Sequence, residues 1–170
     1  MPVSGKVIPM TRDELIDLLS RTPERVAAIV AAVPASELSS KPAADAFSIR
    51  ENVHHIRDLD VDGFSVRLER LLSETDPVLP DVDGAALARG RCYNERPHEQ
   101  ALGELTRARA ASIARLRTLG AADWAREGRL EPVGRVTIAR LIELWWEHDR
   151  GHLAELEQLQ KRAASQSSVN

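Results

Sequence analysis

The chain has one cysteine in 170 residues, so it can form no internal disulfide, and Cys92 alone fits a reducing compartment. Aromatic residues make up only 4% of the chain, and no stretch alternates apolar with polar residues in the β-branched-rich manner of a sheet. An extensive β architecture is therefore excluded. No run is long and apolar enough to span a membrane, and the stretch from Met1 to Met10 lacks the apolar centre of a signal peptide. Basic excess is missing too. With 23 Lys and Arg against 26 Asp and Glu, the formal charge of -3 supplies no field for nucleic-acid binding. The expectation is a cytoplasmic protein with neither a membrane nor a nucleic-acid partner.

What is present is helical. The length suits one domain that buries a core without cross-links, and Ala and Leu are plentiful. Thr11 followed by Glu14 reads as a capping box, and Leu15, Leu18, Leu19, Val26, Ile29 and Val33 keep helical spacing until Pro34. Ser48 and Glu51 repeat the signature. Ile49, Val53, Ile56, Phe64, Leu68 and Leu71 then carry a second helix to about Asp76 and Pro77. Leu102, Leu105, Ile113, Leu116 and Leu119 mark a third, ending at Gly120. A fourth starts near Thr137, with Ile138, Leu141, Trp145, His148, His152 and Leu159 on one inward line. The fold class is all-α: a four-helix bundle over residues 1–162 with long crossover connections, followed by a flexible polar tail over 163–170. The connections are about Pro77 to Pro97 and Gly120 to Val136, the latter able to hold a short extended piece. Arg107, Arg109, Arg115 and Arg117 spread around the third helix and read as a solvated surface, and one of Trp145 and Trp146 is expected in the core with the other near a helix interface or the surface.

His148 and His152 lie four residues apart on a helix, so their side chains leave one face a turn apart and can converge on one point. On an inward line each imidazole needs a partner, because burying an unpaired polar group costs about 2–7 kcal/mol in transfer terms. A divalent ion satisfies both, and so would carboxylates or water. A third ligand comes from the second helix, where His54 and His55 are about 100° apart and cannot both face one target. The apolar stripe lies slightly nearer His54. His55 shares a line with Glu51, Asp58 and Asp62, which serves either to orient ligands or as a solvated acidic face. Spacing leaves the choice open. Asp81 and Asp83 resemble the start of a calcium loop but lack its later acidic positions.

The run from Ser48 to Asp60 (SIRENVHHIRDLD), the later Arg67 to Leu72 with Pro77 to Pro80, and Trp146 to Leu153 (WEHDRGHL) together resemble the DinB-like superfamily of metal-binding four-helix bundles. The resemblance spans nearly the whole chain. It implies a three-histidine site of His55, the residue seven after the capping Ser48, with His148 and His152. Asp123, Trp124 and Gly134 also resemble the segment before the last helix of relatives. The superfamily includes metal-dependent hydrolases and S-transferases that use bacillithiol or mycothiol, and its members are often dimeric, so a homodimer is a further expectation. Two departures, Glu155 in place of a frequent glutamine and Leu130 in place of an occasional histidine, bear on the substrate pocket.

Three neutral histidines leave coordination positions open, as catalytic sites do. Zinc or nickel is the expected ion, and the open position suits either water, for hydrolysis, or the sulfur of a low-molecular-weight thiol, for transfer to a small electrophilic substrate. A stress-related bundle that acts by binding or dimerising is the non-enzymatic alternative. Tyr93, Asp58 and Glu147 are candidate proton carriers, and Arg89 and Arg91 candidate cofactor-binding residues.

Overall fold

The computed structural model describes residues 10–167. The Met1 to Met10 stretch thus falls outside the described residues except for its last member, as does the end of the polar tail. Helix α1 (Arg12–Ala31) begins at the expected capping box: Thr11 Oγ1 accepts from the Glu14 amide at 3.3 Å, and the Thr11 amide donates to Glu14 Oε2 at 2.7 Å. Helix α2 (Ile49–Asp58) has the matching box of Ser48 and Glu51. It passes through a π-helical segment, Leu59–Phe64, directly into α3 (Ser65–Ser73), forming one long rod. Helix α4 (Gly84–Gly90) and a 3-10 turn (Tyr93–Glu95) fill the first long connection. After α5 (His98–Leu116) come the short α6 (Ala121–Trp124), strands β1 (Glu127–Leu130) and β2 (Gly134–Thr137), and α7 (Ile138–Ser167).

The four long members are α1, the α2–α3 rod, α5 and α7, with α1 against α5 and α7 and α2 against the same two. Leu19, Val53, Leu105, Leu141 and Leu156 close the centre. The extended piece in the second connection is an antiparallel hairpin of β1 and β2, and residues 77–79 run beside β1 through bonds from Leu79 N to Arg129 O (2.7 Å) and from Arg129 N to Pro77 O (2.8 Å). Among the described residues no helix is long and apolar enough to cross a membrane.

Three readings change. The second helix ends at Ser73, before Asp76, whose φ of 48° is left-handed. The polar end does not begin at 163, because α7 continues to Ser167 and Ala163 is buried. Trp145 packs in the core, stacked on Phe64 at 5.0 Å, and Trp146 is buried as well, within the alternatives expected for the pair, because helices and hairpin cover more than one face of α7. Arg109 is not solvated but 1% exposed. Its guanidinium bonds Asp60 Oδ1 (2.9 Å), Asp149 Oδ2 (2.7 Å) and the Leu19 carbonyl (2.7 Å), over the Trp145 ring.

Candidate metal centre

Helix α7 supplies two of the converging rings. His148 and His152 have centroids 4.6 Å apart, as the one-turn spacing requires. The third ring is that of His55 on α2, 4.5 Å from His152 and 5.2 Å from His148. One nitrogen from each of the three lies within 4.8 Å of the others. His54 turns the other way: it stacks on Tyr93 and its Nε2 lies 3.4 Å from the Arg96 carbonyl oxygen. The slight lean of periodicity towards His54 is thereby reversed.

The site's polar atoms fit a cation. His55 Nε2 and His148 Nε2 face each other at 3.1 Å. Two imidazoles around one tetrahedral zinc, each with a bond of 2.0–2.1 Å, place their nitrogens about 3.3 Å apart. Asn52 is fully buried. Its Nδ2 donates to the Ser48 carbonyl at 3.1 Å and its Oδ1 accepts from His152 Nδ1 at 2.8 Å, which leaves the His152 Nε2 lone pair available. His148 Nδ1 is buried without a hydrogen bond, 3.6 Å from Asp149 Oδ1, and that carboxylate is fixed by Arg109. Burial, and then the proximity of the other two rings, pushes His55 down to about 3; burial and His148 push His152 down to about 4. Both rings are neutral at pH 7, the form that ligates metal.

The shell around the triad is tight on one side. Gly84, the first residue of α4, sits so close that a Cβ there would lie 2.3 Å from His55 Cε1 and 2.7 Å from Nδ1. The first long connection therefore covers the site, with glycine where the ring leaves no room. Phe47 packs on His55 at 5.2 Å and Phe64 on His148 at 5.6 Å.

The other candidates separate. Asp58 is buried and bound to Tyr93 Oη, Arg57 and Arg91, and these donors hold its carboxyl below the usual range despite burial. Burial and this carboxylate raise the Tyr93 hydroxyl well above its ordinary value. Arg91 also pairs with Asp62 at 2.8 Å. Together these five residues clamp the segment after α4 onto α2 and the π-helical segment that follows it. Glu51 is used by the Ser48 cap and by Lys41. Glu147 is exposed and paired with Arg140 at 3.0 Å, and Arg89 is exposed on α4. Leu130 is buried in β1, and Asp83 caps α4. Glu155 instead approaches the triad, with Oε2 at 3.2 Å from His152 Nδ1.

Asn52 and the Arg109 cluster escaped the sequence reading, although a signal existed. Asp60 stands four residues from both Ile56 and Phe64, Asp149 four from Trp145 and Leu153, and Arg109 four from Leu105 and Ile113, all buried. A charge at each of three core positions, one basic and two acidic, is the pattern of a buried ion cluster.

The chain is similar to known proteins. A protein of Oceanobacillus iheyensis, described as "Putative metal-dependent hydrolase", is 23% identical over 158 residues, covering 93% of this chain and 91% of that protein. The solved structure of YfiT from Bacillus subtilis, described as a probable metal-dependent hydrolase with an unusual four-helix bundle topology, superposes with a TM-score of 0.83 at 20% identity, over 92% of this chain and 91% of that one. The DinB superfamily model matches residues 18–156, a span that holds all three converging histidines, and the chain belongs to that superfamily.

Proposed function

We propose that the protein is a metal-dependent hydrolase in which His55, His148 and His152 hold one divalent ion, zinc or nickel. The observation that carries this reading is the convergence of three imidazole nitrogens with no carboxylate among them. Such an ion, when bound, supplies Lewis-acid activation of water at its open position, lowering the pKa of that water towards about 7. The chain's own residues do the rest. Asn52, with Glu155 beside it, holds the proton on His152 Nδ1 and so leaves Nε2 for the ion, while Phe47 and Phe64 exclude bulk water from two sides. Burial, the largest influence, raises the Glu155 carboxyl above its ordinary value. The descriptions of the two relatives support hydrolysis.

Thiol transfer uses the same ligands with sulfur in place of water. It rests on the groove beside the triad, about 340 Å³ and lined by Phe47, Glu155 and Gln158 among others, which has room for a small thiol next to a substrate. Elemental analysis of the purified protein tests the common basis: about one ion per chain, lost in His55→Ala, His148→Ala and His152→Ala and retained in His54→Ala. Retention in all three ligand variants would remove both readings. Incubating the metal-loaded protein with ester or amide substrates, and with model electrophiles plus glutathione, bacillithiol or mycothiol, then separates them, because only transfer requires the thiol.

A further inference from the structure

The face of α7 that carries the triad continues past it. His148, His152, Glu155, Leu159 and Arg162 are spaced by four, three, four and three residues, so they form one line along the helix. Beyond His152 this line is the floor of the groove of about 340 Å³, and its opposite wall is Pro42, Ala46 and Phe47 from the segment preceding α2. Two wall residues touch the triad directly: Phe47 packs on the His55 ring at 5.2 Å, and Glu155 lies 3.2 Å from His152 Nδ1. The groove therefore adjoins the triad at one end through these two side chains, with no histidine in its own lining. At the other end lies Arg162, ten residues and about 15 Å along the helix from His152. Its Nη1 reaches the Pro42 carbonyl at 3.4 Å, and among the described residues it has no carboxylate partner within ion-pair distance. The lining between the ends is mostly apolar, with Gln158 the polar member.

We propose that this groove is the substrate site, and that it takes an elongated organic molecule with an apolar body and a terminal carboxylate, the carboxylate on Arg162 and the reacting group at the triad. The proposal rests on the metal-centre reading above and adds the substrate class to it. An apolar body buries against Phe47 and Leu159, while an anion meets the exposed Arg162 guanidinium beside the Pro42 carbonyl. The acidic Glu155 sets direction: it disfavours a carboxylate at the triad end, so the charged end faces Arg162.

Calorimetry on the full chain loaded with zinc tests this with three probes: acetohydroxamate, an alkyl hydroxamate with a terminal carboxylate spanning about 15 Å, and the methyl ester of the latter. The carboxylate probe should bind about three- to tenfold more tightly than its ester at low ionic strength, the range of a partly exposed ion pair. Arg162→Gln should erase that difference while leaving zinc content and acetohydroxamate affinity unchanged. Phe47→Ala should weaken both long probes. Equal binding of acid and ester by the natural chain, or a preference that survives in Arg162→Gln, would overturn the groove assignment alone. Failure of acetohydroxamate to bind the zinc-loaded protein would instead sink the metal-centre reading, and this proposal with it.

Discussion

Replacing Arg109 with methionine should be among the most damaging single changes in the molecule. The side chain is 1% exposed and stands between two carboxylates, Asp60 and Asp149, that are exposed by 1% and 0%. Methionine preserves much of the volume but removes the bonds to Asp60, Asp149 and the Leu19 carbonyl. Breaking a buried pair by deleting one partner costs about 3–5 kcal/mol. At about 2–4 °C per kcal/mol for a chain of this size, Tm should fall by about 6–20 °C. Asp60→Asn is the informative contrast. One guanidinium cannot neutralise two buried carboxylates: Arg109 and His148 hold Asp149 below the usual range despite its burial, whereas burial holds Asp60 up, at about 6. A group whose folded pKa is raised contributes stability that is present below its unfolded pKa and lost as pH rises through the folded one. Asparagine carries no such loss, so the stability of Asp60→Asn relative to the natural protein should climb between pH 4 and 7. Thermal and urea unfolding across that range read both effects. A loss below about 1 kcal/mol in Arg109→Met, or an equal loss in Asp60→Asn at every pH, would refute the account of a buried, asymmetrically charged cluster.

Two changes probe the triad's surroundings. Gly84→Ala places a methyl group 2.3 Å from His55 Cε1 and should lower both stability, by about 1–3 kcal/mol, and metal affinity, whereas Gly90→Ala, with nothing within 4 Å, should be neutral or slightly stabilising. Competition with a chromophoric chelator measures the affinity, and equal behaviour of the two variants would contradict the contact. Asn52→Leu removes the nearer of two acceptors on His152 Nδ1 and should weaken metal binding about 10–100-fold; an unchanged Kd would show that Glu155 alone fixes the tautomer.

The bundle was legible because its helices announce themselves locally. Thr11 with Glu14 and Ser48 with Glu51 form the expected boxes, and the line from Ile138 to Trp145 is buried as its spacing requires. His148 and His152 were legible for the same reason: a separation of one turn is a property of a single helix. The choice of His55 over His54 came from the resemblance and not from spacing, since both rings are buried and differ only in which neighbour receives them. The π-helical turn that follows adds to the ambiguity, because it changes the angle per residue between Leu59 and Phe64 and shifts any stripe drawn through Ile56 to Leu68. Arg109 was misread because arginines placed all round a helix resemble a solvated surface until the partners at Asp60 and Asp149 are known. Four-residue strands are likewise too short to announce themselves through alternation.

The cluster and the triad are one construction. Arg109 on α5 reaches Leu19 on α1, Asp60 in the π-helical segment and Asp149 on α7, so a single guanidinium ties together all four long members of the bundle. Asp149 is the next residue after His148, with Oδ1 3.6 Å from that ring's Nδ1. Fixing the carboxylate fixes the turn of α7 that carries one candidate ligand, while Asp60, five residues after His55, fixes the helix that carries another. An apolar core of equal volume would hold the helices together at least as well, since buried ion pairs rarely gain stability over hydrophobic substitutes. What the charges add is register. A slip of either helix by one residue would part a charge from its partner in the core, at the cost of about 3–5 kcal/mol that deletion of a partner carries, and the same slip would carry His55 or His148 out of the convergence. The three histidines are themselves poor core residues, with the His55 and His152 pKa values driven down to about 3 and about 4 by burial and mutual repulsion. They require a scaffold whose alignment is set elsewhere, and the buried guanidinium supplies it.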